Sequence, residues 1–139
     1  MWTIPQETEL VATLSAAEIQ AFRASADFSD DVVVSILSRT VALVRDYLRS
    51  NGGVKLSPDE SALPAGCIAH AMDYAAYDLL KRFNLPVSDP RQRARDEAVA
   101  YFGAIAEGKL TPESYEDDGT STKAVSPAYA PAIPERLLD

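Results

Sequence analysis

A single cysteine, Cys67, and a single histidine, His70, are all that the 139 residues offer to thiol, disulfide or imidazole chemistry. One cysteine cannot close a disulfide within the chain, and one histidine cannot build the multi-histidine ligand sets of most catalytic zinc sites. Positive charge is scarce too: 13 Lys and Arg face 21 Asp and Glu, for a formal net charge of −8. That balance gives no whole-protein attraction to phosphate backbones or anionic lipid, which argues against a basic nucleic-acid binder. Long apolar runs are absent. The opening residues MWTIPQETEL do not read as a basic segment followed by an apolar core, and the one Ala-rich stretch is broken by His70, Asp73 and Asp78. The expectation is a chain made in the cytosol and not inserted in a membrane. Its length allows one small globular domain and excludes a large multidomain enzyme.

Composition divides the chain near Leu110. Residues 111–139 hold four of the nine prolines, and six acids (Glu113, Glu116, Asp117, Asp118, Glu135, Asp139) face two bases (Lys123, Arg136), so this quarter of the chain carries half the net charge. Such a segment cannot bury enough apolar area to offset the entropy of ordering it and is expected to be extended or disordered when alone. It nevertheless carries the apolar anchors Tyr115, Val125, Tyr129, Ile133, Leu137 and Leu138. Extended peptides of this kind dock by strand addition or by inserting anchors into a groove.

Residues 1–110 read as helices, with no sustained alternation of period two. A turn around Pro5 to Ala12 precedes a short helix opened by the capping box Ser15/Glu18 and ending near Ser25. Ser29, followed by Asp30 and Asp31, opens a long helix that Gly52 ends. At 100° per residue, Val33, Ile36, Leu37, Val41, Val44, Tyr47 and Leu48 share one arc, while Asp31, Ser38, Arg39, Arg45, Asp46 and Arg49 lie opposite. Residues 52–64 form a loop, and Pro64 starts a helix reaching Phe83 with Ile68, Met72, Ala75, Ala76, Leu79 and Phe83 on its core side. Cys67, His70, Tyr74, Tyr77 and Lys81 cluster on another side, which points to a second contact surface. A last helix runs from Ser88-Asp89-Pro90 to Gly108, with Ala94, Ala98, Tyr101, Phe102 and Ile105 inward. The expected architecture is all-α: a small bundle of three principal helices, with short N-terminal helices and an extended C-terminal tail.

Chemistry-bearing residues are sparse. Cys67 and His70 stand three apart on a helix and could share a metal ion with Asp73, but no fourth ligand is near, so no metal or other cofactor is expected. Asp73 with Asp78, and Asp30 with Asp31, could be read as catalytic carboxylate pairs. Solvated pairs of Asp78 with Arg82 and of Arg93 with Glu97, and favourable first-turn charges, explain these residues better. No Gly-rich phosphate loop or serine elbow is present, and no enzyme activity is expected. Arg91, Arg93 and Arg95 crowd a helix N-terminus, where their charge is unfavourable. Arg91 and Arg95 could bridge to carboxylates of another subunit, or their stems could simply cover apolar edges.

The order of elements resembles the head-to-tail connector (adaptor) proteins of tailed bacteriophages, the Mu-like prophage family among them. The matching features are the N-terminal helical pair from Glu9-Leu10 to Ile19 and Phe22, and the long helix from Asp30-Asp31 to Val44-Arg45-Asp46-Tyr47-Leu48. They continue with Leu63-Pro64, Asp73-Tyr74-Ala75 and Tyr77-Asp78-Leu79-Leu80, then Tyr101 and Ile105-Ala106-Glu107-Gly108-Lys109-Leu110. The resemblance covers about residues 5–110. It departs where many members carry Gly-Arg-Tyr after the long helix, since this chain has Arg49-Ser50-Asn51-Gly52-Gly53, and its tail is longer.

The resemblance implies a non-enzymatic virion protein at the neck, assembled in the host cytoplasm as a twelve-fold ring beneath the portal protein. Such a ring joins head to neck or tail-completion protein and extends a channel through which packaged DNA passes without specific binding. Arg39, Arg45, Asp46 and Arg49 on the long helix, with Tyr74, Tyr77, Arg91 and Arg95, would be subunit contacts. Residues 111–139 would be the portal-docking arm, through Tyr115, Tyr129, Ile133, Leu137 and Leu138. The alternative is a small helical accessory or regulatory interaction module, also non-enzymatic.

Overall fold

Several helix ends fall on capping or stop signals written into the chain. The computed structural model describes residues 1–25 and 29–116. Five helices occupy them: α1 (Glu7–Thr13), α2 (Ala16–Ala24), α3 (Asp30–Asn51), α4 (Ile68–Arg82) and α5 (Asp89–Ala106). The Ser15/Glu18 box closes on both sides, with the Glu18 amide donating to Ser15 Oγ at 3.2 Å and the Ser15 amide to the Glu18 carboxylate at 2.8 Å. Ser88 accepts from the Arg91 amide at 3.3 Å and opens α5, with Pro90 in its first turn. Left-handed residues stop the long elements: Gly52 (φ +77°) after α3, Asn84 (φ +54°) after α4 and Gly108 (φ +80°) after α5. Beyond the last two, the Leu85 amide reaches back to Leu80 O (3.0 Å) and the Lys109 amide to Ala104 O (2.9 Å), satisfying carbonyls that would otherwise be orphaned.

The fold is all-α with a two-stranded exception. Residues Trp2–Thr3 (β1) pair antiparallel with Leu63–Pro64 (β2), Trp2 facing Pro64 and Thr3 facing Leu63. These two-residue strands are too short to leave a period-two pattern, and they hold the N-terminal segment against the end of the α3–α4 loop. The chain passes from β2 through one 3-10 turn, Ala65–Cys67, into α4, which therefore starts four residues after the Pro64 start read from sequence.

Helices α3, α4 and α5 pack on one another, and α1 lies across α3 and α4. Their shared core is aliphatic and Ala-rich: Ile36, Val44, Leu48, Ala71, Ala75, Ala76, Leu79, Ala98, Phe102 and Ile105 are all buried, joined by Leu10 and Phe22. Three alanines on the buried face of α4, Ala71, Ala75 and Ala76, let the neighbouring helices approach closely. Tyr47 stacks on Phe102 with centroids 5.8 Å apart, coupling α3 to α5 at the core's edge. No described helix is long and apolar enough to cross a membrane.

The segment after α5 turns back on the body. Asn51 Nδ2 donates to Ile105 O (2.8 Å) and Leu110 O (3.2 Å). The Lys55 amide donates to Ser114 Oγ (3.0 Å), and the Tyr115 amide to Lys55 O (2.8 Å). Trp2 Nε1 donates to Glu113 O (3.1 Å), and the Met1 amino group meets the Glu113 carboxylate. Residues 111–116, read from sequence as the start of the extended arm, thus strap the α3–α4 loop and β1.

Candidate functional site

The expected second surface of α4 faces α5 over much of its length. His70 stacks on Tyr101 (4.3 Å between centroids), and Cys67 is fully buried. The Tyr101 hydroxyl donates to Gly66 O at 3.4 Å and lies near the Cys67 thiol. Burial pushes that thiol up to about 11, against a smaller lowering by Tyr101. Burial, with Cys67 beside it, raises the Tyr101 phenol to about 12. A protonated, enclosed thiol is a poor nucleophile and a poor metal ligand. Among the described residues no group of three His, Cys, Asp or Glu is arranged to hold a metal ion.

Further along, the two helices build a cation–aromatic ladder. The Arg95 guanidinium sits over Tyr74 (5.6 Å) and Tyr77 (5.1 Å), and Lys81 Nζ lies over the other end at 5.8 Å from the Tyr77 centroid. Arg95 is one-third exposed; among the described residues its carboxylate partner is Asp96 at 3.8 Å, and its buried Nε has no hydrogen-bond partner there. Ring faces hold both cations in fixed positions at the surface. Arg39 of α3 pairs with Asp78 of α4 at 3.1 Å, and Asp46 pairs with Arg49 at 2.7 Å one turn apart on α3. Asp78 is therefore engaged across helices and not with Arg82, and the Arg93–Glu97 pair does not form. Arg39, Asp46, Arg49, Tyr74, Tyr77 and Arg95 remain available at the surface.

Two expected contact residues are spent inside the chain. Arg45, placed by periodicity on the solvent side of α3, is buried and donates to three carbonyls of the α3–α4 loop: Ser57 O (2.8 Å), Asp59 O (3.0 Å) and Ala62 O (2.8 Å). Trp2 covers its guanidinium at 5.8 Å. Loop 52–64 folds over that side of α3 and turns a polar position into an interior one, which helical periodicity cannot register. Arg91, expected to reach another subunit, forks onto Glu18 of α2 through Nε (3.0 Å) and Nη2 (2.7 Å). It also donates to Thr13 O (3.0 Å) and faces Asp73 at 3.8 Å. Burial alone would raise the Glu18 carboxyl, but the Arg91 hydrogen bond, the Ser15 amide, the Arg91 charge and the Ser15 hydroxyl together hold it below its ordinary value. Glu18 already served the α2 cap, and nothing in one-dimensional spacing ties it to a residue 73 positions away.

Of the arm anchors, Tyr115 packs edge-on against Trp2, with centroids 6.4 Å apart. Tyr129, Ile133, Leu137 and Leu138 lie outside the described residues. The periodicity reading also passed over a groove beside α3 that is lined by apolar and polar residues in equal number. Ile4 and Val34 form its lip, Leu37 and Val41 its floor, and Glu7 and Glu60 stand on its rim. Its signal was Val34, a β-branched apolar residue stepping off the buried arc. Comparison with profiles of known protein families, with curated proteins and with solved structures found no match for this chain.

Proposed function

We propose that the chain is a structural protein of a tailed-phage virion, a head-to-tail connector that assembles as a ring beneath the portal and joins the head to the neck or tail. The observation that carries this reading is the ordered series of elements. Two short helices, a long Asp-opened helix, a loop ending Leu63-Pro64, an Ala-rich helix and a closing helix running into Ile105-Ala106-Glu107-Gly108-Lys109-Leu110 follow the connector pattern, and the helices occupy those stretches of chain. The acidic balance supports a conduit through which DNA slides without sticking.

In this reading the ladder of Tyr74, Tyr77, Lys81 and Arg95 is one side of the contact between ring subunits, and the Arg39–Asp78 and Asp46–Arg49 pairs are subunit contacts too. Aromatic and arginine side chains held in place are the groups that carry interface energy. Residues 117–139 are the portal-docking arm, rooted by the 111–116 strap. The test is reconstitution: purified chain is mixed with portal rings encoded by the same genome and viewed by negative-stain electron microscopy. Added density beneath the portal is the expected result, and unchanged portal rings at saturating chain would overturn it. A chain ending at Glu116 should fold and fail to attach.

A further inference from the structure

Two surface features of this body carry opposite charge, and among the described residues neither is fully answered by its opposite. The first is the ladder. Lys81 meets no described carboxylate within ion-pair distance, and Arg95 pairs with Asp96 at a long 3.8 Å while its buried Nε has no described partner. Ring faces of Tyr74 and Tyr77 hold both cations in place. A guanidinium fixed in this way is set to grip a carboxylate through two parallel hydrogen bonds.

The second feature is the groove beside α3, about 260 Å³ in volume. Glu7 and Glu60 on its rim are both exposed, and neither is within ion-pair distance of a described base. Other acids are answered where they stand: Glu9 and Glu18 close capping boxes, and Asp46, Asp73 and Asp78 face arginines. The concavity that Glu7 shares with Asp30 also holds Arg23. Ile4 and Val34 on the groove's lip are 47% and 43% exposed, and Ser38 and Ser61 add hydroxyls to the same lining. A surface half apolar and half polar with an acidic rim suits an amphipathic ring flanked by cations, which is what Tyr77 with Arg95 and Lys81 presents.

The two features share no residue. The ladder stands on α4 and α5, the groove on the N-terminal segment, α1, α3 and the α3–α4 loop. One copy can therefore use both at once, each toward a different neighbour, and heterologous contacts of that kind close into rings when the rotation between copies allows. We propose that the ladder of one copy docks on the groove of the next, Arg95 and Lys81 facing Glu7 and Glu60 and the edge of Tyr77 meeting Ile4 and Val34. The proposal rests on the ladder being a subunit contact and adds what lies across it. Charge argues for a second copy as the occupant: at a net charge of −8 copies repel unless cations of one meet acids of the other, and this chain carries both halves of that match.

Sedimentation velocity of the full-length chain over rising concentration tests it. The parent chain should self-associate, less so as salt is added. Lys81→Glu and Glu60→Lys, each at an exposed position, should each weaken self-association by at least about tenfold. An equimolar mixture of these two variants should form a dimer and nothing larger, because one keeps a working ladder and the other a working groove. Both reversals in one chain should restore association. A parent chain that stays monomeric, association untouched by either reversal, or a mixture that behaves as its separate components would each overturn the proposal. The same variants added to portal rings separate it from the connector reading. Complete rings beneath the portal from both single variants would overturn this contact and leave the connector standing; the expected pattern in solution without density beneath the portal would uphold the contact and overturn the connector.

Discussion

Arg45 makes three hydrogen bonds to loop carbonyls, one of which, Asp59 O, also accepts from the Ala62 amide at 3.1 Å. Its removal strands buried acceptors and opens the loop. Arg45→Met should lower the unfolding free energy by about 2–4 kcal/mol, because each unpaired buried acceptor forfeits roughly 1–3 kcal/mol and the loop recovers part of that by taking up water. Arg45→Lys should recover only part of the loss in urea unfolding, since one ammonium cannot span three carbonyls held by a planar fork. Glu18 gives a pH signature. Its carboxyl is held below the ordinary 4.5 in the folded chain, so the pairing with Arg91 contributes stability in full above that pH and loses it as pH falls through the lowered folded-state value. Glu18→Gln should therefore cost stability at neutral pH and flatten the fall in stability as the solution is acidified below the ordinary carboxyl range. Cys67 should resist alkylation at mildly alkaline pH in the folded chain and react fully in denaturant, because burial keeps its thiol protonated up to about 11.

The helices themselves were largely legible in the sequence, because their signals are local. The Ser15/Glu18 box, Ser29 and Gly52 around α3, and Ser88-Asp89-Pro90 before α5 each mark a boundary within a few residues of where it falls. The arc Val33, Ile36, Leu37, Val41, Val44 and Leu48 is the buried face of α3. What escaped is what depends on residues far apart in the chain. The Trp2–Pro64 pairing, the Arg45 cradle, the Arg91–Glu18 fork and the strap on Asn51 and Lys55 have no period to betray them. Asn51 illustrates the point: it ends α3 and its amide group also gathers Ile105 O, Leu110 O and the Gly53 amide, at 2.8, 3.2 and 2.8 Å. Asn51→Ala should cost about 1–3 kcal/mol, measured by urea unfolding. It should also speed amide exchange at Lys55 and Tyr115 more than in the middle of α4. Uniform acceleration along the chain would show that the strap is not a separable unit.

The described body is closed by its strap, so where the chain is cut matters. A chain ending at Leu110 loses the contacts of Glu113, Ser114 and Tyr115 to Trp2 and Lys55, and should melt several degrees below one ending at Glu116. The chain ending at Glu116 should match the full chain in helical signal and near-ultraviolet tryptophan signal. On that body the surface divides into a cation–aromatic ladder on α4 and α5 and a groove with an acidic rim beside α3. The central claim is the connector role, and the most direct measurement is electron microscopy of lysates from a host producing particles without this gene, beside a complemented control. The account predicts capsids and finished tails accumulating as separate particles, rejoined on complementation. Joined, normal virions in the absence of the gene would contradict it.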